Sequence, residues 1–151
     1  MNLESIMTKD VVVMRSEDSF YDVSNAMKQY DIGFIPVSSE NKIIGVITDR
    51  DIVVRAISNN VDLDSKIENY ITNNVISVEV GKSLDEVIDI MGRQKIKRVI
   101  VTDNGKVVGV VSLSDIINCD VEDNLINSLK EIWAINQNID TYETEIDEFY
   151  L

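Results

Sequence analysis

Residues 45–51 read GVITDRD and residues 109–115 read GVVSLSD. In each, a glycine leads an apolar run into a hydroxyl residue, Thr48 or Ser112, with an aspartate three positions later, Asp51 or Asp115. Sliding the chain against itself by 64 positions extends the match without a gap. Val11 meets Val75, Ser19 meets Ser83, Val23 meets Val87, Met27 meets Met91, Ile32 meets Ile96 and Val37 meets Val101. Lys42 and Lys106, Gly45 and Gly109, and Ile52 and Ile116 continue it. One register held for so long marks an internal duplication, so the fold is one unit used twice.

Each copy carries the same series of signals. A short apolar stretch (Val11 to Met14; Val75 to Val78) precedes a serine with an acid three residues on, Ser19 with Asp22 and Ser83 with Glu86, the capping-box signature of a helix start. Phe20, Val23, Ala26, Met27 and Tyr30 then recur at helical spacing, as do Leu84, Val87, Ile88 and Met91, so these faces are expected in the core. Two strand-like runs follow in each copy, FIPVS and KIIGVIT around a turn at Glu40-Asn41, and RVIVT and KVVGVVS around Asn104-Gly105. Asn-Gly between apolar runs signals a tight hairpin, because both residues tolerate positive φ. A second helix is expected from Asp49 to Asp51 and from Ser114-Asp115. The order per copy is βαββα, an α/β (α+β) fold of two repeats packed as a pseudo-twofold pair.

The linker Ser58 to Glu68 is polar with scattered apolar residues. It divides the chain into residues 1–60, residues 61–120 and an extension over 121–151. A repeat of about 60 residues has too small a core to be comfortable alone, so the two are expected to fold together.

Composition narrows the function. With 44% apolar and 27% charged residues the chain is globular. No apolar run approaches a membrane span of about 18 residues, and the start MNLESIMTKD lacks a signal peptide's features; the expectation is a cytoplasmic protein without membrane association. The absence of histidine removes the usual general base and the commonest metal ligand, and a single cysteine, Cys119, forms neither an internal disulfide nor a zinc site. With no Gly-Lys phosphate loop and no paired nucleophile, the chain is not expected to be an enzyme. A net charge of −13 argues against nucleic acid, although nine acids against Lys130 alone fall in residues 120–151 and the body keeps thirteen basic residues.

The paired motif admits two uses. A hydroxyl N-cap with an acid at N3 satisfies free N–H groups at a helix start and needs no ligand. The same geometry suits a nucleotide cleft, in which the carboxylate accepts hydrogen bonds from ribose hydroxyls and the upstream glycine permits close approach to the backbone.

Two consecutive βαββα copies, each ending in Gly-apolar-apolar-Thr/Ser-x-x-Asp, with FIPVS before the first motif and the run GVITDRDIVVRAI, resemble a tandem pair of CBS domains, or Bateman module, over about residues 1 to 120. The resemblance implies a regulatory sensor of adenosine-containing ligands (AMP, ADP, ATP, S-adenosylmethionine, sometimes dinucleotides), with no required cofactor. It implies clefts between the repeats, with Thr48 and Asp51 contacting ribose and phosphate in one and Ser112 and Asp115 in the other. Gly33, Phe34, Ile35 and Pro36 would line the adenine pocket, with Lys97, Arg98, Val99 and Ile100 as their counterparts. It also implies a homodimer of pairs and, with no effector domain in the chain, an effector protein as partner; a ligand-free dimeric scaffold is the alternative.

Two departures stand out. The second copy has Ile100 where the first has Pro36 and Leu113-Ser114 where the first has Asp49-Arg50, so the clefts are expected to differ. Asp49 beside Asp51 would repel a polyphosphate unless Arg50, Arg55, Arg98 or Mg²⁺ intervenes. Beyond the repeats, Leu125, Leu129, Ile132, Trp133 and Ile139 recur at near-helical spacing, which predicts an amphipathic helix over 121–140 followed by an acidic tail.

Overall fold

A computed structural model describes residues 2–119. The amphipathic helix expected over 121–140 and the acidic tail lie outside the described residues. Two three-stranded sheets form, one per repeat. The first holds β1 (Met14–Arg15), β2 (Phe34–Ser39) and β3 (Lys42–Thr48), with β1 parallel and β3 antiparallel to the central β2. Helix α1 (Phe20–Tyr30) connects β1 to β2, and α2 (Asp49–Asp51) leaves β3 and continues into a π-helical turn, Ile52–Ala56. The second repeats this order with β4 (Ser77–Glu79), α3 (Leu84–Gln94), β5 (Arg98–Asp103), β6 (Lys106–Ser112) and α4 (Leu113–Ile117).

Local chemistry accounts for the elements. Ser19 and Asp22 form a reciprocal capping box at α1, and Ser83 and Glu86 form one at α3. Both helices end on a residue in the left-handed region, Asp31 (φ 53°) and Lys95 (φ 58°). The hairpins turn on pairs with positive φ, Glu40-Asn41 (49° and 63°) and Asn104-Gly105 (49° and 78°), whose twist matches that of the strands they join. Just beyond each turn the register slips between Val37 and Ser38, or Val101 and Thr102, leaving Ile44 and Val108 as the extra residues of a bulge.

The strand pairing starts later than the apolar runs. Thr8 exchanges backbone hydrogen bonds with Val110 of β6 (2.9 and 3.0 Å), while Met14 is the first residue to pair with β2. Residues 9 to 13 span the gap between the two sheets.

This crossing is the main organising feature. The segment before each repeat packs on the other one: Leu3 is fully buried in the core of the second repeat with Val87, Met91, Val99 and Ile116, and Met7 packs against that cluster. Reciprocally, Ile67 and Ile71 belong to the core of the first repeat with Phe20, Val23, Ile35 and Ile47, and Thr72 bridges Val46 of β3 (2.8 and 2.9 Å). Gly45 and Gly109 make room for these segments. A Cβ on Gly45 would stand 2.8 Å from the Thr72 carbonyl oxygen, and one on Gly109 would collide with Met7. The close approach expected of a ligand at these glycines is made by the chain itself.

Candidate functional site

The motif residues cap α2 and α4. The Thr48 hydroxyl accepts from the Asp51 N–H (3.1 Å), while Asp51 Oδ2 accepts from the Thr48 N–H (3.0 Å) and hydroxyl (2.9 Å). Ser112 and Asp115 repeat this at 3.2, 2.8 and 2.7 Å. In both boxes the hydroxyl and one carboxylate oxygen are committed to the helix start.

The other carboxylate oxygen separates the copies. Asp51 Oδ1 faces Arg55 Nε at 3.4 Å, and Arg55 Nη1 donates to the Tyr70 carbonyl (2.9 Å), tying the motif to the crossing segment. The repeat places Cys119 where the first copy has Arg55, and its Sγ donates to the Asp115 carbonyl (3.1 Å). Among the described residues no cation or donor meets Asp115 Oδ1.

Asp115 and Ser112 open onto a cavity of about 440 Å³, a size suited to a small organic ligand. Both repeats build it. Gly33 and Phe34 come from the start of β2, and Arg98 from the start of β5. The Arg98 guanidinium lies 5.8 Å from the centre of the Phe34 ring, a cation–π contact between positions that are equivalent in the 64-residue register, so they meet at the pseudo-twofold. The remaining wall comes from the crossing segment, with Asp10, Val11 and Val12, and from the end of α1, with Tyr30, Asp31 and Ile32. Sequence reasoning missed both stretches. Their signal was a charge difference between otherwise matching copies, since Asp10 and Asp31 stand opposite Asn74 and Lys95.

The structure brings Gly33, Phe34, Arg98, Ser112 and Asp115 around one cavity. Ile35, Pro36, Val99 and Ile100 are buried strand residues, Ile35 and Val99 within the two cores. Thr48, Asp51 and Lys97 do not line this cavity; the Lys97 carbonyl accepts from the Leu113 N–H (2.8 Å) and anchors the start of α4. A Cβ on Gly33 would stand 2.6 Å from Asp49 Oδ2, the far end of an exposed side chain that can turn aside. Among the described residues no three acidic or thiol side chains converge as a metal-ion site, and no helix is long and apolar enough to cross a membrane.

Residues 3–57 and 67–122 each match the family model of the CBS domain. The chain is 34% identical over 116 residues to the protein YlbB of Bacillus subtilis, a match covering 76% of this chain and 78% of that protein. Inosine-5′-monophosphate dehydrogenase of Methanocaldococcus jannaschii is 29% identical over 116 residues, but these are only 22% of that enzyme. The CBS domain pair of protein MJ0100, solved in complex with 5′-methylthioadenosine and S-adenosyl-L-methionine, superposes with a TM-score of 0.68 at 28% identity, covering 78% of this chain and 93% of that one.

Proposed function

The chain belongs to the CBS-domain family and carries the domain twice, and from that premise we propose that it is a non-enzymatic regulatory pair that senses an adenosine-containing ligand. AMP, ADP, ATP and S-adenosylmethionine are the candidates, and the cavity between Phe34 and Asp115 is the first place to be filled. The observation that carries this is the free Oδ1 of Asp115, a half-buried carboxylate oxygen on a cavity wall shared by both repeats. It is placed to accept ribose hydroxyls, as acidic residues do in dinucleotide sites. The MJ0100 pair, which holds adenosine derivatives on the same fold at 28% identity, supports the ligand class.

Thr48 and Asp51, with Lys97, form the register-related place for a second ligand. There Asp51 is already held by Arg55, so occupancy starts at Asp115. Because the cavity joins the repeats, a ligand changes their relative free energy as a unit, and the output goes to a second copy and to an effector protein. The competing reading, a ligand-free scaffold, draws on the capping boxes: Ser19 with Asp22 and Ser83 with Glu86 form them away from this cavity, so capping alone needs no ligand. Calorimetric titration of the four candidates into the full chain and into Asp115→Ala decides between them. Binding abolished by the substitution supports the sensor, and no binding of any candidate supports the scaffold.

A further inference from the structure

The cavity is acidic for reasons the repeat does not supply. Among the described residues, Asp10, Asp31 and Asp115 line it against one cation, Arg98, whose guanidinium lies over the Phe34 ring. None of the three carboxylates makes an ion pair among the described residues. In the other copy the equivalent positions of Asp10, Asp31 and Gly33 are Asn74, Lys95 and Lys97, so Asp10 and Asp31 have no acidic counterpart there. A phosphorylated adenosine entering it would meet an excess of like charge. A divalent cation does not readily relieve this, because no three such groups converge on an ion site among the described residues.

Resting on the reading that the cavity takes an adenosine-containing ligand, we propose that its charge selects a cationic adenosyl compound, a sulfonium, over neutral and phosphorylated adenosines. Asp115 Oδ1 serves the ribose, which all these ligands share. Asp10 and Asp31, both exposed at the rim, supply the field that only a positive ligand exploits.

The test is calorimetric titration of the full chain with S-adenosylmethionine, with its neutral thioether relative 5′-methylthioadenosine, and with AMP and ATP, the last with and without Mg²⁺. At low ionic strength the sulfonium binds at least about tenfold more tightly than the thioether or AMP, the size of two unit-charge interactions across several ångströms near a surface. The margin narrows at about 0.15 M salt, as screening requires. Asp10→Asn and Asp31→Asn each weaken the sulfonium about fivefold and leave the thioether unchanged; these exposed positions carry no fold-critical contact, so both variants fold. AMP or Mg²⁺-ATP binding as tightly as the sulfonium, or variants that weaken thioether and sulfonium alike, would overturn the selectivity while leaving adenosine sensing in place. Failure of every adenosine compound to bind removes the underlying reading, and the selectivity with it.

Discussion

Asp51 and Asp115 hold the same place in the repeat and differ in what their second oxygen meets. Each closes a capping box, so removing either carboxylate leaves orphan N–H groups at a helix start and costs about 1 kcal/mol. Asp51 also loses Arg55, whereas Asp115 loses a free acceptor on the cavity wall. Asp51→Ala and Asp115→Ala are therefore expected to lower stability comparably in urea denaturation, while only Asp115→Ala abolishes the first ligand-binding event in calorimetry. The glycines diverge in a similar way. A methyl on Gly45 meets the Thr72 carbonyl, which is backbone held in a bridge, whereas one on Gly109 meets the Met7 side chain, whose Sδ and Cγ can turn aside while its Cβ stays 3.1 Å away. Gly45→Ala should cost about 1–3 kcal/mol as overpacking and Gly109→Ala clearly less, although the two positions are equivalent in sequence. Equal losses in urea would show that the Thr72 bridge yields as easily as a side chain.

Among the elements, α3 shows how a helix start responds to pH. The Lys82 ammonium, 2.6 Å from Glu86, together with the Ser83 N–H and hydroxyl, holds the Glu86 carboxyl down at about 2 from an ordinary 4.5. A carboxylate depressed in the folded state contributes stability that is fully present above its unfolded value and is lost as pH falls through the folded one. Between pH 4.5 and 2 the urea midpoint should therefore fall more steeply in the natural protein than in Glu86→Gln. Parallel slopes would show that the box contributes nothing through charge. Elements of this kind were legible in the sequence because their causes are local: serine and acid three apart, Asn-Gly between apolar runs, apolar residues at helical spacing. The crossing segments were not legible, because Leu3 and Ile67 look like scattered apolar residues until the core of the other repeat covers them. For the same reason the sequence offered Phe34 and Arg98 as counterparts and could not show that they touch. Contact at a pseudo-twofold depends on how the two copies pack, which no local pattern encodes.

At the scale of the molecule, the exchanged segments make each repeat depend on the other's chain. Neither core is complete within its own repeat: the second closes on Leu3 and Met7, and the first on Ile67 and Ile71. The edges of β6 and β3 are likewise bridged by Thr8 and Thr72. Loss of either repeat therefore strips buried surface from the other, and the pair should unfold in one cooperative transition. Leu3→Ala tests this, because the residue lies early in the first repeat and is buried in the second. A fully buried leucine truncated to alanine costs about 2–5 kcal/mol. If the exchange couples the repeats, that loss appears as a single shifted transition in calorimetry, with amide exchange accelerated in α1 of the first repeat as much as in α3 of the second. If the repeats are independent, Leu3→Ala splits the melt into two and leaves α1 protected. The same coupling would give the cavity its reach: any ligand bound between Phe34 and Asp115 would stabilise both repeats through one equilibrium, by an amount that grows with the logarithm of its concentration.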